Sequence, residues 1–174
     1  MGFPLLVRRP QHLARIAAAV GGVLLLMIAI QRMRPQDAPD VSFSSITGEK
    51  FRLSELREHP VLITFWASDC RTCLTEIPGL EGLYRDFSSR GLYLIAVAMS
   101  YDMPSRVLAI VESRKLPYWV TLDPLARVAG AFGHVELVPA TFLIAPDGTI
   151  RYKKLGALDF PFLRAQINSM LGES

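Results

Sequence analysis

Apolar positions along the chain fall into runs of different period. Residues 61–66 and 92–99 are short, continuous apolar stretches rich in β-branched and aromatic side chains, which predicts buried strands. Leu74, Ile77, Leu80, Tyr84 and Phe87 instead recur at spacings of three and four, the single apolar face of a helix. Pro78 lies inside that pattern, where its missing N–H removes the bond to Leu74 and predicts a kink. Residues 41–53 alternate around Thr47-Gly48, the signal of an N-terminal β-hairpin, and Ser54-Glu55-Leu56 starts a helical turn.

The second half repeats these signals. A helix is predicted over residues 105–115 and a strand over 118–122. Asp123-Pro124 has N-cap and N1 chemistry for a helix through Phe132. Residues 141–145 and 150–154 flank Pro146-Asp147-Gly148 as a hairpin, and residues 159–171 close the chain as an amphipathic helix. Strands alternating with helices, ending in a hairpin, predict an α/β fold with helices on both faces of the sheet. The chain has no internal repeat and no low-complexity tract.

Residues 16–30 belong to neither pattern, being uncharged and apolar apart from Gly21 and Gly22. Fifteen helical residues reach about 22 Å, short for a span, but Leu13 to Met33 suffices if Arg15 and Arg32 snorkel to the interfaces. No A-x-A pattern marks a cleavage site at the end of the run, and no cysteine follows that could carry a lipid anchor. Residues 1–36 therefore read as an uncleaved signal anchor, a single transmembrane helix, with 37–40 as a linker and 41–174 as the folded body. Three arginines precede the run and two follow it, which places the body on the extracytoplasmic side of the cytoplasmic membrane.

Length and charge fit this division. The 174 residues suit one domain plus an appendage, and the formal net charge is +3. Arg8, Arg9, Arg15, Arg32 and Arg34 all lie in residues 1–36 without a single acid, whereas the other 14 basic and 16 acidic residues leave the body slightly acidic. The basic character is confined to the N-terminus, so no nucleic-acid partner is expected.

The only cysteines, Cys70 and Cys73, stand where the 61–66 strand gives way to the helical pattern. A strand-to-helix junction offers the first thiol unpaired backbone N–H groups and a favourable helix dipole. Such surroundings lower a thiol pKa and make a nucleophile, with the second thiol placed to resolve a mixed disulfide. The carboxylate of Asp69 opposes thiolate formation at Cys70 and the guanidinium of Arg71 favours it. Asp69 also reads as an N-cap or near-cap residue of the helix.

Phe65-Trp66-Ala67 leading into Cys70-x-x-Cys73, followed much later by Val138-Pro139-Ala140-Thr141-Phe142, resembles the thioredoxin superfamily. The leading hairpin, Glu76-Ile77-Pro78 and the membrane anchor resemble its TlpA/ResA-like thiol-disulfide oxidoreductases more narrowly. The resemblance runs from Val41 to the C-terminus. It implies a thioredoxin-like fold, a central mixed sheet flanked by helices, with no cofactor. Cys70 is then the exposed attacking thiol and Cys73 the buried resolving one. Pro139 is a cis-proline facing the dithiol, Glu76 a buried acid handling the Cys73 proton, and Trp66 an aromatic packed near the sulfurs. The implied partners are protein disulfides and a membrane thiol-disulfide electron carrier. Relatives act mostly as reductases, some in cytochrome c maturation. Thr64 stands where thioredoxins proper carry a buried Asp, which leaves Glu76 as the buried proton carrier. This chain departs from its relatives at Asp69, where they carry an aromatic or similar residue, and at Arg71-Thr72, where they commonly have a proline before the second cysteine.

Other chemistries compete for the same cysteines. Zinc would need His59 and His134, and no zinc-finger spacing is present. A copper(I)-binding chaperone on the same fold would use the thiolates with His134, although three residues usually separate the cysteines there. The Pro-x-x-x-Thr-x-x-Cys motif of a peroxiredoxin nucleophile is absent before Cys70.

Overall fold

The computed structural model describes residues 36–172, together with Arg15, Ile16, residues 19–23 and Met27. The chain divides into two units, Met1–Pro35 and Gln36–Ser174. In the first unit the described residues are helical; the expected anchor otherwise lies outside the described residues. Among the described residues no helix is long and apolar enough to cross a membrane.

The second unit is a thioredoxin-like α/β fold. Its strands are β1 (Gln36–Asp37), β2 (Ser42–Ser44), β3 (Lys50–Arg52), β4 (Val61–Trp66), β5 (Tyr93–Ala98), β6 (Trp119–Leu122), β7 (Ala140–Ile144) and β8 (Thr149–Leu155). Its helices are α1 (Arg71–Phe87), α2 (Pro104–Arg114), α3 (Arg127–Ala131) and α4 (Phe160–Gly172). A mixed sheet runs in the order β1-β8-β7-β4-β5-β6, with β4, β5 and β6 parallel and the remaining neighbours antiparallel.

Every residue of β4 is buried, because the sheet is covered on both faces. Leu62 and Trp66 face one layer with Leu80, Leu83 and Phe87 of α1, Val107 of α2, and Leu163 and Ile167 of α4. Ile63 and Phe65 face the other, with Phe43, Leu53, Leu56 and the α3 residues Val128 and Ala129. Burial on both sides is why the central strands read as continuous apolar runs instead of alternating ones. Helices do cover both faces, but unequally. Three long helices take one side, while the other holds the β2–β3 hairpin, a 3-10 turn over Leu53–Leu56 and the five-residue α3.

Two local expectations need correcting. The helix expected from Asp123-Pro124 starts at Arg127, after a turn closed by the Ala126 N–H on the Asp123 carbonyl. Asp123 still satisfies the helix start: its carboxylate accepts the N–H groups of Arg127 and Ala129, both at 2.8 Å. The segment expected as a linker is tied down. Asp37 pairs with Thr149, Ala38 donates to the Gly148 carbonyl at 2.9 Å, and the Asp40 carboxylate accepts the Ser54 N–H at 3.1 Å.

The hairpin is joined to the sheet at β6. Ile46 donates to the Val120 carbonyl at 2.9 Å, Ser45 bridges Thr121, and the Phe51 ring stacks on Trp119 with centroids 4.1 Å apart. In the same layer, Phe65, Phe132 and Phe142 meet edge to face, all buried. Phe65→Ala removes one of the three rings of that cluster and is expected to cost about 3–5 kcal/mol. The loss should register as a lower urea midpoint at unchanged slope.

Candidate active site

The dithiol is built by the end of β4. The ladder to β5 continues one bond beyond the strand, from Met99 N–H to the Trp66 carbonyl at 3.0 Å, and the chain then turns. Cys70 N–H closes that turn on the Ala67 carbonyl at 3.1 Å. Cys70 is the N-cap of α1, and its Sγ accepts the Cys73 N–H at 3.2 Å. Sulfur thus occupies the place that a serine or aspartate oxygen takes in most helix caps. Asp69, expected as a cap or near-cap, is the exposed residue just before the cap, and Arg71 is the exposed first residue of the helix.

Cys70 and Cys73 form a disulfide, with Cα atoms 5.3 Å apart. Their surroundings differ sharply. Cys70 is half-buried, while Cys73 is 4% exposed and packs in the helical layer with Leu80 and Trp66. On reduction the Sγ of Cys70 would keep its helix-terminal N–H donor, which favours the thiolate there.

Glu76 follows Cys73 by three residues, on the same face of α1. It is 6% exposed, and Oε1 accepts the Leu158 N–H at 2.7 Å. Burial pushes this carboxyl above its usual range, and the Leu158 bond opposes the shift. Thr64, Trp66, Cys73, Glu76, Tyr118 and Pro139 line one cavity of about 10 Å³, the space of a single water. Thr64 is spent on a hydrogen bond to the hydroxyl of Thr141 at 3.0 Å. The Nε1–H of Trp66 is buried with no hydrogen-bond partner among the described residues.

Pro139 precedes β7, and the Val138–Pro139 bond is cis. Its carbonyl accepts the Gly156 N–H at 2.8 Å, which ties the proline to the segment after β8. The structure therefore brings Cys70, Cys73, Trp66, Glu76 and Pro139 together, with Asp69 and Arg71 at the rim.

His59 and His134 do not join them into a metal site. His59 stacks edge-on against Tyr93 at 5.3 Å before the start of β4, the far end of that strand from Cys70. His134 lines a separate depression with Lys153 and Leu155. Among the described residues no three His, Cys, Asp or Glu side chains are grouped to hold a metal ion.

Sequence reading missed Asp102. Its carboxylate accepts the Ser68 N–H and the Ser68 hydroxyl, both at 2.6 Å. An aspartate 34 positions from its partner leaves no periodic or spacing signal; only its place after an apolar strand hinted at a structured turn.

With this geometry the chain falls into a known class. It belongs to the AhpC/TSA family, whose model matches residues 35–153. Within the thioredoxin-like fold it is a homologue of thiol-disulfide oxidoreductases. The thiol-disulfide oxidoreductase ResA of Bacillus subtilis is 31% identical over 114 residues, covering 66% of this chain and 63% of that protein. A crystal structure of a DsbE-type thiol:disulfide interchange protein from Chlorobium tepidum superimposes with a TM-score of 0.72 at 25% identity, over 80% of this chain and 98% of that one. The solution structure of a thioredoxin-like protein from Neisseria meningitidis gives 0.74 at 28% identity, over 81% and 93%.

The raised carboxyl of Glu76 makes a stability prediction. A carboxyl that holds its proton more tightly when folded contributes fully below the unfolded value near 4.5, and that contribution is lost as pH rises through the folded value. Glu76→Gln cannot ionise, so its stability relative to the parent should improve between pH 4 and pH 7. Urea denaturation of both proteins at the two pH values measures the difference.

Proposed function

We propose that this chain is an extracytoplasmic protein-disulfide reductase, held at the cytoplasmic membrane by residues 1–36. The observation that carries the reading is the unequal pair of sulfurs: Cys70 reachable at a helix cap, Cys73 buried beside a protonatable carboxylate. In the reduced protein the Cys70 thiolate attacks one sulfur of a client disulfide. A new S–S bond forms, and the client's other sulfur leaves as a thiolate that takes a proton. Cys73 then loses its proton to the Glu76 carboxylate and attacks the Cys70 sulfur. The second client thiol departs with that proton, and the Cys70–Cys73 disulfide remains. One client disulfide becomes two thiols, and the protein's dithiol becomes its disulfide.

The oxidised form must then be returned to the dithiol. A membrane thiol-disulfide carrier is the donor that fits an anchored protein, through the same exchange run in reverse. The ResA and DsbE-type names of similar proteins support a thiol-disulfide reaction on this fold. The five arginines of residues 1–36, three before the apolar run, support the anchor and its orientation.

Cys70→Ser should abolish dithiothreitol-driven insulin reduction. Cys73→Ala should accumulate client adducts through Cys70 that thiol treatment releases. Full insulin reduction by Cys70→Ser would falsify the assignment. Deletion of residues 1–35 is expected to move the protein from the membrane to the soluble fraction of expressing cells with its insulin-reductase activity intact; retention in the membrane fraction would sink the anchor.

A further inference from the structure

Two β-turns lie side by side at the end of the parallel strands. One spans Ala67–Cys70 after β4 and is closed by the Cys70 N–H on the Ala67 carbonyl at 3.1 Å. The other spans Met99–Asp102 after β5 and is closed by the Asp102 N–H on the Met99 carbonyl at 3.0 Å. The Asp102 carboxylate crosses between them and takes both donors of Ser68, the backbone N–H on one oxygen and the hydroxyl on the other. Ser68 is the second residue of the turn that ends at the Cys70 cap. Asp69 belongs to the same cluster: burial first, then the Asp69 and Asp102 carboxylates, push up the Tyr101 hydroxyl.

While the disulfide is closed, the S–S bond itself restrains Cys70. Once it opens, the turn is what holds the Cys70 sulfur where Cys73 can reach it. A charge-assisted pair of bonds at 2.6 Å is a strong restraint for a turn of four residues. Holding two reacting groups in place raises their effective concentration and favours ring closure.

We propose that Asp102 is a positioning residue for the redox reaction: by locking the two turns together it favours the closed disulfide and makes the protein a stronger reductant. The inference rests on the reading of Cys70 and Cys73 as a redox pair. It concerns the balance reduced protein + glutathione disulfide ⇌ oxidised protein + two glutathione, in which the protein loses two electrons and glutathione disulfide gains them.

The test is that equilibrium constant for the parent, Asp102→Ala, Ser68→Ala and the double variant, with thermal unfolding of both redox forms. Asp102→Ala should shift the balance toward the dithiol by roughly three- to tenfold, up to about 30 mV less negative for a two-electron couple. Ser68→Ala retains the backbone donor and the charge, so it should shift in the same direction by less. The double variant should match Asp102→Ala, because both substitutions act through one clamp. A purely structural role would lower both unfolding temperatures alike and leave the constant within twofold of the parent, which overturns the proposal. Additive shifts in the double variant overturn it too. Should Asp102→Ala not fold, Ser68→Ala decides alone, and an unshifted constant rejects the clamp. A parent that cannot equilibrate with glutathione removes the redox reading itself, whereas an active parent with unshifted variants removes only Asp102's part.

Discussion

Strand β4 is buried on both faces along its whole length, and this fixes where the sulfurs can stand. Its register is pinned twice, with Phe65 opposite Val97 of β5 and Thr64 opposite Thr141 of β7. A slip of one residue would carry Phe65 into the helical layer and Trp66 out of it, and both layers would lose their packing. The position of the turn, the cap and the first residue of α1 therefore follow from the sheet. The chemistry of Cys70 is inherited from a register that the core cannot relinquish cheaply.

That inheritance gives the two sulfurs opposite surroundings within a single helical turn. Cys70 meets solvent on one side and a backbone N–H on the other, so a negative charge on it is tolerated. Cys73 sits among Trp66, Leu80 and the Glu76 carboxyl, where an unpaired thiolate is costly until a partner sulfur is at hand. Order in the exchange follows from this contrast. The accessible sulfur reacts first, and the covered one reacts only with the bond its neighbour has just made.

Much of this was legible in the chain itself. The strand before the cysteines, the apolar face of α1 and the hairpin at Pro146-Asp147-Gly148 all announce themselves through period and turn chemistry. The cysteines are legible for the same reason, since they fall where one period yields to another. Contacts between loops are not, because nothing in the sequence near Ser68 points to Asp102. Asp123 shows a subtler failure: its capping chemistry was visible, but a carboxylate can reach past a turn and serve a helix that starts four residues later. The unequal layers also escaped notice. Period says that a segment has a buried face but not which side of the sheet will cover it.

The hairpin bonded to β6 has a further consequence. With Ile46 and Ser45 occupying the outer ladder of β6, that margin has few free backbone donors and acceptors to offer a stranger. The opposite margin differs: β1 is two residues long and covers only Thr149 and Ile150 of β8, so among the described residues 151–155 have no partner strand on that side. An extended peptide can therefore add to the sheet along β8, the mode of capture that open edges invite, and finds little room to do so along β6.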